Sequence, residues 1–278
     1  MFNITKTDLE AACPAGMRPD HSLAGRLRSF FDSAWLSLAG LCTREILAGV
    51  ENTCDLDAAA ETKEERLCQA ALRFIISRGF HDALPHLDLV LTPTGFGVVS
   101  NQNVAPASAD RVERLRQQML RQSMDAYEEA LSVVREFDEW HSSPMRDAAR
   151  HLFWHSRFLR KFGETDPTLE TLRRYYPRLL RGESALRRLI SDAQFLLLVH
   201  EEAHASADDT HAIAIDLCRD FVAVLDNPRD ALLQRGILLD FLDNNIDHFA
   251  AYRSSTAYEA NHARPYENRK DDPCYFFG

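Results

Sequence analysis

Residues 23–46 read LAGRLRSFFDSAWLSLAGLCTREI, and within them Leu23, Leu27, Phe30, Phe31, Trp35, Leu38, Leu41 and Ile46 recur at three- and four-residue intervals. That spacing puts the apolar side chains on one face of a long amphipathic helix. A helix so patterned gains stability only when its stripe is covered by other helices, so the stretch predicts a mainly α chain built as a multi-helix bundle.

Working outward, the acidic segment Glu51 to Glu65 reads as a loop, and residues 65–83 as a second helix carrying Leu67, Leu72, Phe74 and Ile75 and ended by Pro85. Ser108 suits an N-cap, with Asp110 in the first turn, for a helix reaching about Phe137 along the stripe Val112, Leu115, Met119, Tyr127, Leu131 and Val134. Helices are predicted near 144–162, 167–180, 183–206, 210–226 and 229–253, with breaks at Gly163, Gly182 and Asn227-Pro228. Between the first and second groups, Leu87 to Leu91 and Phe96 to Ser100 flank Thr92-Pro93-Thr94-Gly95, which is turn chemistry and predicts one β-hairpin at about 87–100. Beyond Tyr258 the chain turns polar and ends Cys274-Tyr275-Phe276-Phe277-Gly278, an expected extended C-terminal tail with an aromatic tip. The resulting organisation is a helical region with an inserted hairpin (1–140), a helical bundle region (141–258) and the tail (259–278).

Composition narrows the function classes. Hydrophobic residues make up 45% and charged residues 27%, the balance of a packed core with a solvated surface. A formal net charge of -10 opposes non-specific phosphate binding, because each neutralised phosphate needs a nearby Lys or Arg. The start of the chain, Met1-Phe2-Asn3-Ile4-Thr5-Lys6, lacks a signal-peptide pattern, and no stretch reaches the roughly 20 apolar residues of a membrane span, so neither secretion nor membrane insertion is expected. Cys13, Cys42, Cys54, Cys68, Cys218 and Cys274 show no C-x-x-C spacing and are read as reduced thiols serving as small hydrophobes.

The strongest catalytic match is His200-Glu201-Glu202-Ala203-His204, a literal H-E-x-x-H on a predicted helix. Two imidazoles one turn apart suit zinc, with Glu201 as general base. The third ligand is the difficulty: His211 falls one position too far for H-E-x-x-H-x-x-G-x-x-H, no glycine intervenes, and Asp216 and Asp220 lack diagnostic context. The simpler reading makes Phe195 to Val199 the buried part of a helix whose end turns polar. His151 and His155 form a second i, i+4 pair, and Asp138-x-x-His141 beside Glu201-x-x-His204 is similar to the carboxylate–histidine pairs of di-metal bundles, without the two further glutamates such sites use. Histidines at helix surfaces or capping helix ends are the simpler account of these. Arg173, Arg174, Arg178, Arg181, Arg187 and Arg188, interleaved with Tyr175 and Tyr176, suit either a polyanion or a subunit-facing surface neutralised by nearby acids. No phosphate-binding glycine loop and no G-x-S-x-G elbow occurs.

Two segments carry a resemblance. Pro85 to Asn101, continuing through Asn103 and Ala105 to Ser108 and on to Arg111-Val112-Glu113-Arg114-Leu115, resembles a family of uncharacterised proteins encoded in phages and prophages of Bacteroides-type bacteria; the tail Tyr266 to Pro273 with its aromatic end is similar to that family's terminus. The resemblance implies a virion structural component, a ring-forming head-to-tail connector or neck adaptor, or a tail-completion subunit. It implies a homo-oligomer meeting other head, neck or tail proteins, located in the host cytoplasm during assembly and then in the virion. No catalytic residue, metal or cofactor is carried over, and neither membrane nor specific nucleic-acid binding is expected. The assembly contacts expected are Thr92, Pro93, Thr94, Gly95 and Phe96 of the hairpin, and Tyr275, Phe276 and Phe277 of the tail. The alternatives are a zinc-dependent hydrolase using His200 and His204 with Glu201, and a nucleic-acid-packaging accessory protein using Arg173 and Arg174.

Overall fold

The helix predicted over 23–46 is two helices. In the computed structural model, which describes residues 2–12, 23–51, 53, 55–87, 89–92, 95–98, 108–144, 151–203 and 208–263 (backbone alone for 89–92, 95–98 and 203), α2 runs Leu23–Cys42 and α3 runs Arg44–Val50. Thr43 separates them with a φ of 69°, and its hydroxyl accepts from the Ile46 amide as an N-cap. Leu27, Phe31, Leu38 and Leu41 of the predicted stripe are buried on α2, while Ile46 is buried on α3.

The chain divides into two compact units, Met1–Arg174 and Tyr175–Gly278. The first holds α1 (Lys6–Ala12), α2, α3, α4 (Lys63–Ala83), α5 (Ala109–Val134) and α6 (Asp138–His141). Helix α4 lies at its centre, packed against both α2 and α5. It starts at a capping box: Thr62 accepts from the Glu65 amide and Glu65 reaches back to the Thr62 amide. Reciprocal capping of this kind satisfies two of the orphan donors at a helix start. The core gathers Leu27, Phe31, Leu38, Leu67, Ile75, Phe80, Met119, Val134 and Trp140. Met119 and Val134 of the predicted α5 stripe are inside, whereas Val112, near the start of the helix, is 36% exposed. Two four-residue strands, β1 (Leu89–Thr92) and β2 (Gly95–Val98), pair antiparallel with Leu89 opposite Val98 and Thr92 opposite Gly95. A 3-10 helix over Ser156–Phe162 stands where an α-helix was predicted from 144 to 162, and it closes on Gly163 in the left-handed region.

Helix α7 (Leu169–Ile190) runs across the boundary between the units and contains Pro177. It also passes through Gly182, where the sequence predicts a helix break. A Cβ on Gly182 would collide with Val222, so this glycine permits a close helix approach rather than a stop. The chain breaks instead at Ser191, with a φ of 78°, before α8 (Asp192–Ala203). The second unit continues with α9 (Asp209–Val224), α10 (Pro228–Asn244), α11 (Ala250–Arg253) and α12 (Thr256–Asn261). Asn227 caps α10 with Pro228 following at its first position, as the dipeptide predicts. The core of this unit comprises Leu186, Ile190, Phe195, Leu198, Ile215, Cys218, Leu238, Leu242, Phe249 and Tyr252. Two of its buried polar side chains are matched: Gln194 accepts from the Tyr252 amide at 3.1 Å, and Arg219 meets Glu202 at 2.7 Å. The tail expected over 259–278 begins inside α12, and from residue 264 it lies outside the described residues.

Candidate assembly surface

Several of the polar groups that the sequence offers for chemistry are held in local structure. His200 and Glu201 sit near the end of α8, with His200 exposed, and His204 lies outside the described residues. Glu201 Oε2 is 3.4 Å from His211 Nδ1, and the same nitrogen is 2.9 Å from Asp208 Oδ1. Asp208 is the N-cap of α9; accepting the His211 amide at 2.8 Å holds its carboxyl below the usual range. His248 adds a second imidazole, 3.7 Å from Asp208 Oδ2. The general-base candidate of the H-E-x-x-H thus faces a histidine of the next helix. Among the described residues no group of three or more His, Cys, Asp or Glu side chains is placed to hold a metal ion.

A buried carboxylate, hydroxyl and imidazole meet in the first unit. Glu128 on α5 accepts from both the Ser156 amide and Ser156 Oγ, each at 2.7 Å, and His155 Nδ1 accepts from the Arg157 amide at 3.1 Å. Burial holds the Glu128 carboxyl above its ordinary range despite these bonds. Burial, with Arg157 and Arg135 adding to it, pulls His155 down to about 4. The His155 lone pair is committed to the backbone and the Ser156 proton to a carboxylate. With Ser156 only 3% exposed, the trio is a cap for the 3-10 helix rather than a nucleophile and its base. His141 likewise donates through Nε2 to the Arg135 carbonyl at 2.7 Å. Cys42, Cys68 and Cys218 are buried free thiols, and burial pushes Cys42 and Cys218 up to about 12, far from a reactive thiolate.

Several of the arginines meet acids or backbone of their own unit. Arg178 is 2.8 Å from Asp226 and donates to the Ala223 carbonyl, while Arg187 pairs with Asp192 and lies over the Phe195 ring.

Apolar exposure is where the second unit departs from an ordinary surface. Of ten large hydrophobic side chains exposed among the described residues, only Leu36 and Val112 belong to the first unit. The others include Leu196 and Leu197 on α8, Ile213 on α9, and Leu232, Leu233 and Ile237 on α10. Helix α8 buries Phe195, Leu198 and Val199 on one side and exposes Leu196 and Leu197 on the other, so it carries apolar side chains on both. Sequence reasoning passed over these positions. The available signal was α10 itself, where Leu232, Leu233, Ile237, Leu238 and Leu242 span a wider arc than one core-facing stripe needs.

Of the contacts expected at the hairpin, Thr92 and Gly95 are paired partners and Phe96 stands opposite Leu91. Pro93 and Thr94 lie outside the described residues, as do Tyr275, Phe276 and Phe277. No helix among the described residues is long and apolar enough to cross a membrane. Residues 43–150 match the model of a family of unknown function (DUF6712), a stretch that takes in α3 to α6 and both strands but well under half of the chain. No curated protein matches the chain. No solved structure matches it either.

Proposed function

We propose that this chain is a non-enzymatic assembly subunit, of the ring-forming head-to-tail connector, neck adaptor or tail-completion type in a phage virion. The observation that carries the reading is the set of exposed apolar side chains on α8, α9 and α10, which suits a surface covered by a partner. The engagement of Ser156 by Glu128 supports it from the other side, since a hydroxyl held in a cap is poorly placed for catalysis. In a two-stranded hairpin each strand keeps an outer edge of backbone donors and acceptors, which suits strand addition by a neighbouring subunit. The hairpin tip Thr92 to Phe96 and the aromatic residues Tyr275, Phe276 and Phe277 are the further contacts assigned to this role.

Light scattering on purified protein, with metal content read on the same sample, tests the reading. A closed oligomer without stoichiometric zinc is expected, and deleting residues 273–278 should reduce its mass while leaving the helical circular-dichroism signal intact. A monomer holding one zinc per chain would overturn the proposal in favour of a hydrolase using His200, Glu201 and His204.

A further inference from the structure

Helix α10 has three sides with different fates. One side packs on α9 and buries Leu238 and Leu242. A second meets the end of α12, where Arg235 donates to Asn261 at 3.0 Å and Asp243 pairs with His262 at 3.0 Å. The third is open: Leu232, Leu233 and Ile237 are 67, 63 and 40% exposed, and a Cβ at Gly236 would meet nothing within 4 Å. Arg229 and Asp240 are exposed on this same side, and neither has an ion-pair partner among the described residues. At 100° per residue these six positions share an arc of roughly 140°, which the Asp243–His262 pair enters only beyond Asp240, at the C-terminal end of the helix.

Their order is self-complementary. About a point midway between Gln234 and Arg235, position 229 mirrors 240, 232 mirrors 237, and 233 mirrors 236. We propose that this face binds a second copy of the same chain through a two-fold axis, with the two α10 helices antiparallel. Arg229 of each copy then faces Asp240 of the other, Leu232 faces Ile237, and Leu233 seats over Gly236, where the missing side chain lets the backbones come close. A parallel pairing would set Arg229 against Arg229 and Asp240 against Asp240, so the charges select the antiparallel one. One helix face of this length presents less than the roughly 800 Å² per partner of a standard interface, which makes the dimer weak and concentration-dependent. An isologous contact closes at two copies, so this contact goes beyond the ring reading, and a ring would need a separate surface such as that of Leu196 and Leu197 on α8.

The experiment is sedimentation equilibrium on the full chain over a concentration series, comparing wild type, R229E, D240R, the R229E/D240R double variant, and an equimolar mixture of the two single variants. An acid in the first turn and a base towards the end of α10 both suit the helix dipole, so folding is expected to persist in every variant. Each single variant should weaken dimerisation at least about tenfold, because every two-fold contact then holds two like-charge pairs. Both the double variant and the mixture should recover it, since each restores two opposite-charge pairs. Wild-type protein that stays monomeric at the highest concentration would overturn the contact, as would single variants that dimerise normally or a mixture that fails to recover. If wild type is monomeric and truncation after Ala263 makes it associate, residues 264–278 cover the face instead. A larger oligomer indifferent to every charge change would leave the assembly reading standing and remove this contact from it.

Discussion

Gly79 sits inside α4 with no room for a side chain: a Cβ would stand 2.5 Å from Phe31 Cδ1 and 3.1 Å from the Phe31 backbone nitrogen. Gly79→Ala should therefore cost about 1–3 kcal/mol through forced separation of α2 and α4. Gly40, near the end of α2, meets nothing within 4 Å, and Gly40→Ala should instead add about 0.5–1 kcal/mol by lowering the entropy of the unfolded chain. Thermal melts of the two variants, one below and one above wild type, would check both. His155 governs a pH response whose sign follows from its depressed value. A basic group lowered from 6.5 to about 4 contributes stability that is full above pH 6.5 and is lost as pH falls towards 4. Glu128, raised by burial, acts in the opposite sense, its contribution being full below 4.5 and fading as pH rises. His155→Asn keeps a side-chain acceptor for the cap and removes the imidazole. Denaturation midpoints of this variant should fall less steeply than wild type between pH 6.5 and 4, by less than the roughly 1.4 kcal/mol per pH unit of one fully linked proton.

Elements were legible where the side-chain period alone decides them, and less so where three-dimensional neighbours do. Asn227-Pro228 and Gly163 end helices through their own backbone chemistry, so the sequence announces them. Gly182 carries the same local signal as a helix stop, yet it lies inside α7 because Val222 occupies the space beside it. The break at Thr43 was hidden for the converse reason: the apolar period continues from Leu41 to Ile46, although a positive φ turns the chain between them. The start of α4 was written in the sequence as Thr62-x-x-Glu65 and was passed over in favour of the acidic composition around it. Thr62→Ala should cost about 1 kcal/mol, read as a lower urea midpoint at unchanged slope. For the candidate surface, an exposed leucine on α10 and a buried one look alike in sequence. Only the placement of α9 and α12 distinguishes Leu233 from Leu238.

At the scale of the whole chain, the two compact units each have their own core, and among the described residues each has a glycine where two helices approach closely, Gly79 in the first and Gly182 in the second. Cores of this kind unfold as separate cooperative blocks. Calorimetry should resolve two transitions, Gly79→Ala lowering one and Gly182→Ala the other; equal shifts of a single transition in both variants would show one cooperative block. The first unit also contains a long-range tie. The indole of the fully buried Trp140 donates at 2.8 Å to the Leu41 carbonyl, 99 positions earlier, in the last turn of α2. Contacts within α2, α4 and α5 can form as each helix condenses, but this one requires both ends of that span to have found each other. Trp140 therefore acts as a clock hand for folding. In a stopped-flow refolding experiment on a Trp35→Phe/Trp154→Phe variant, its fluorescence should settle after the far-ultraviolet helical signal, reporting the moment at which α2 is locked in place.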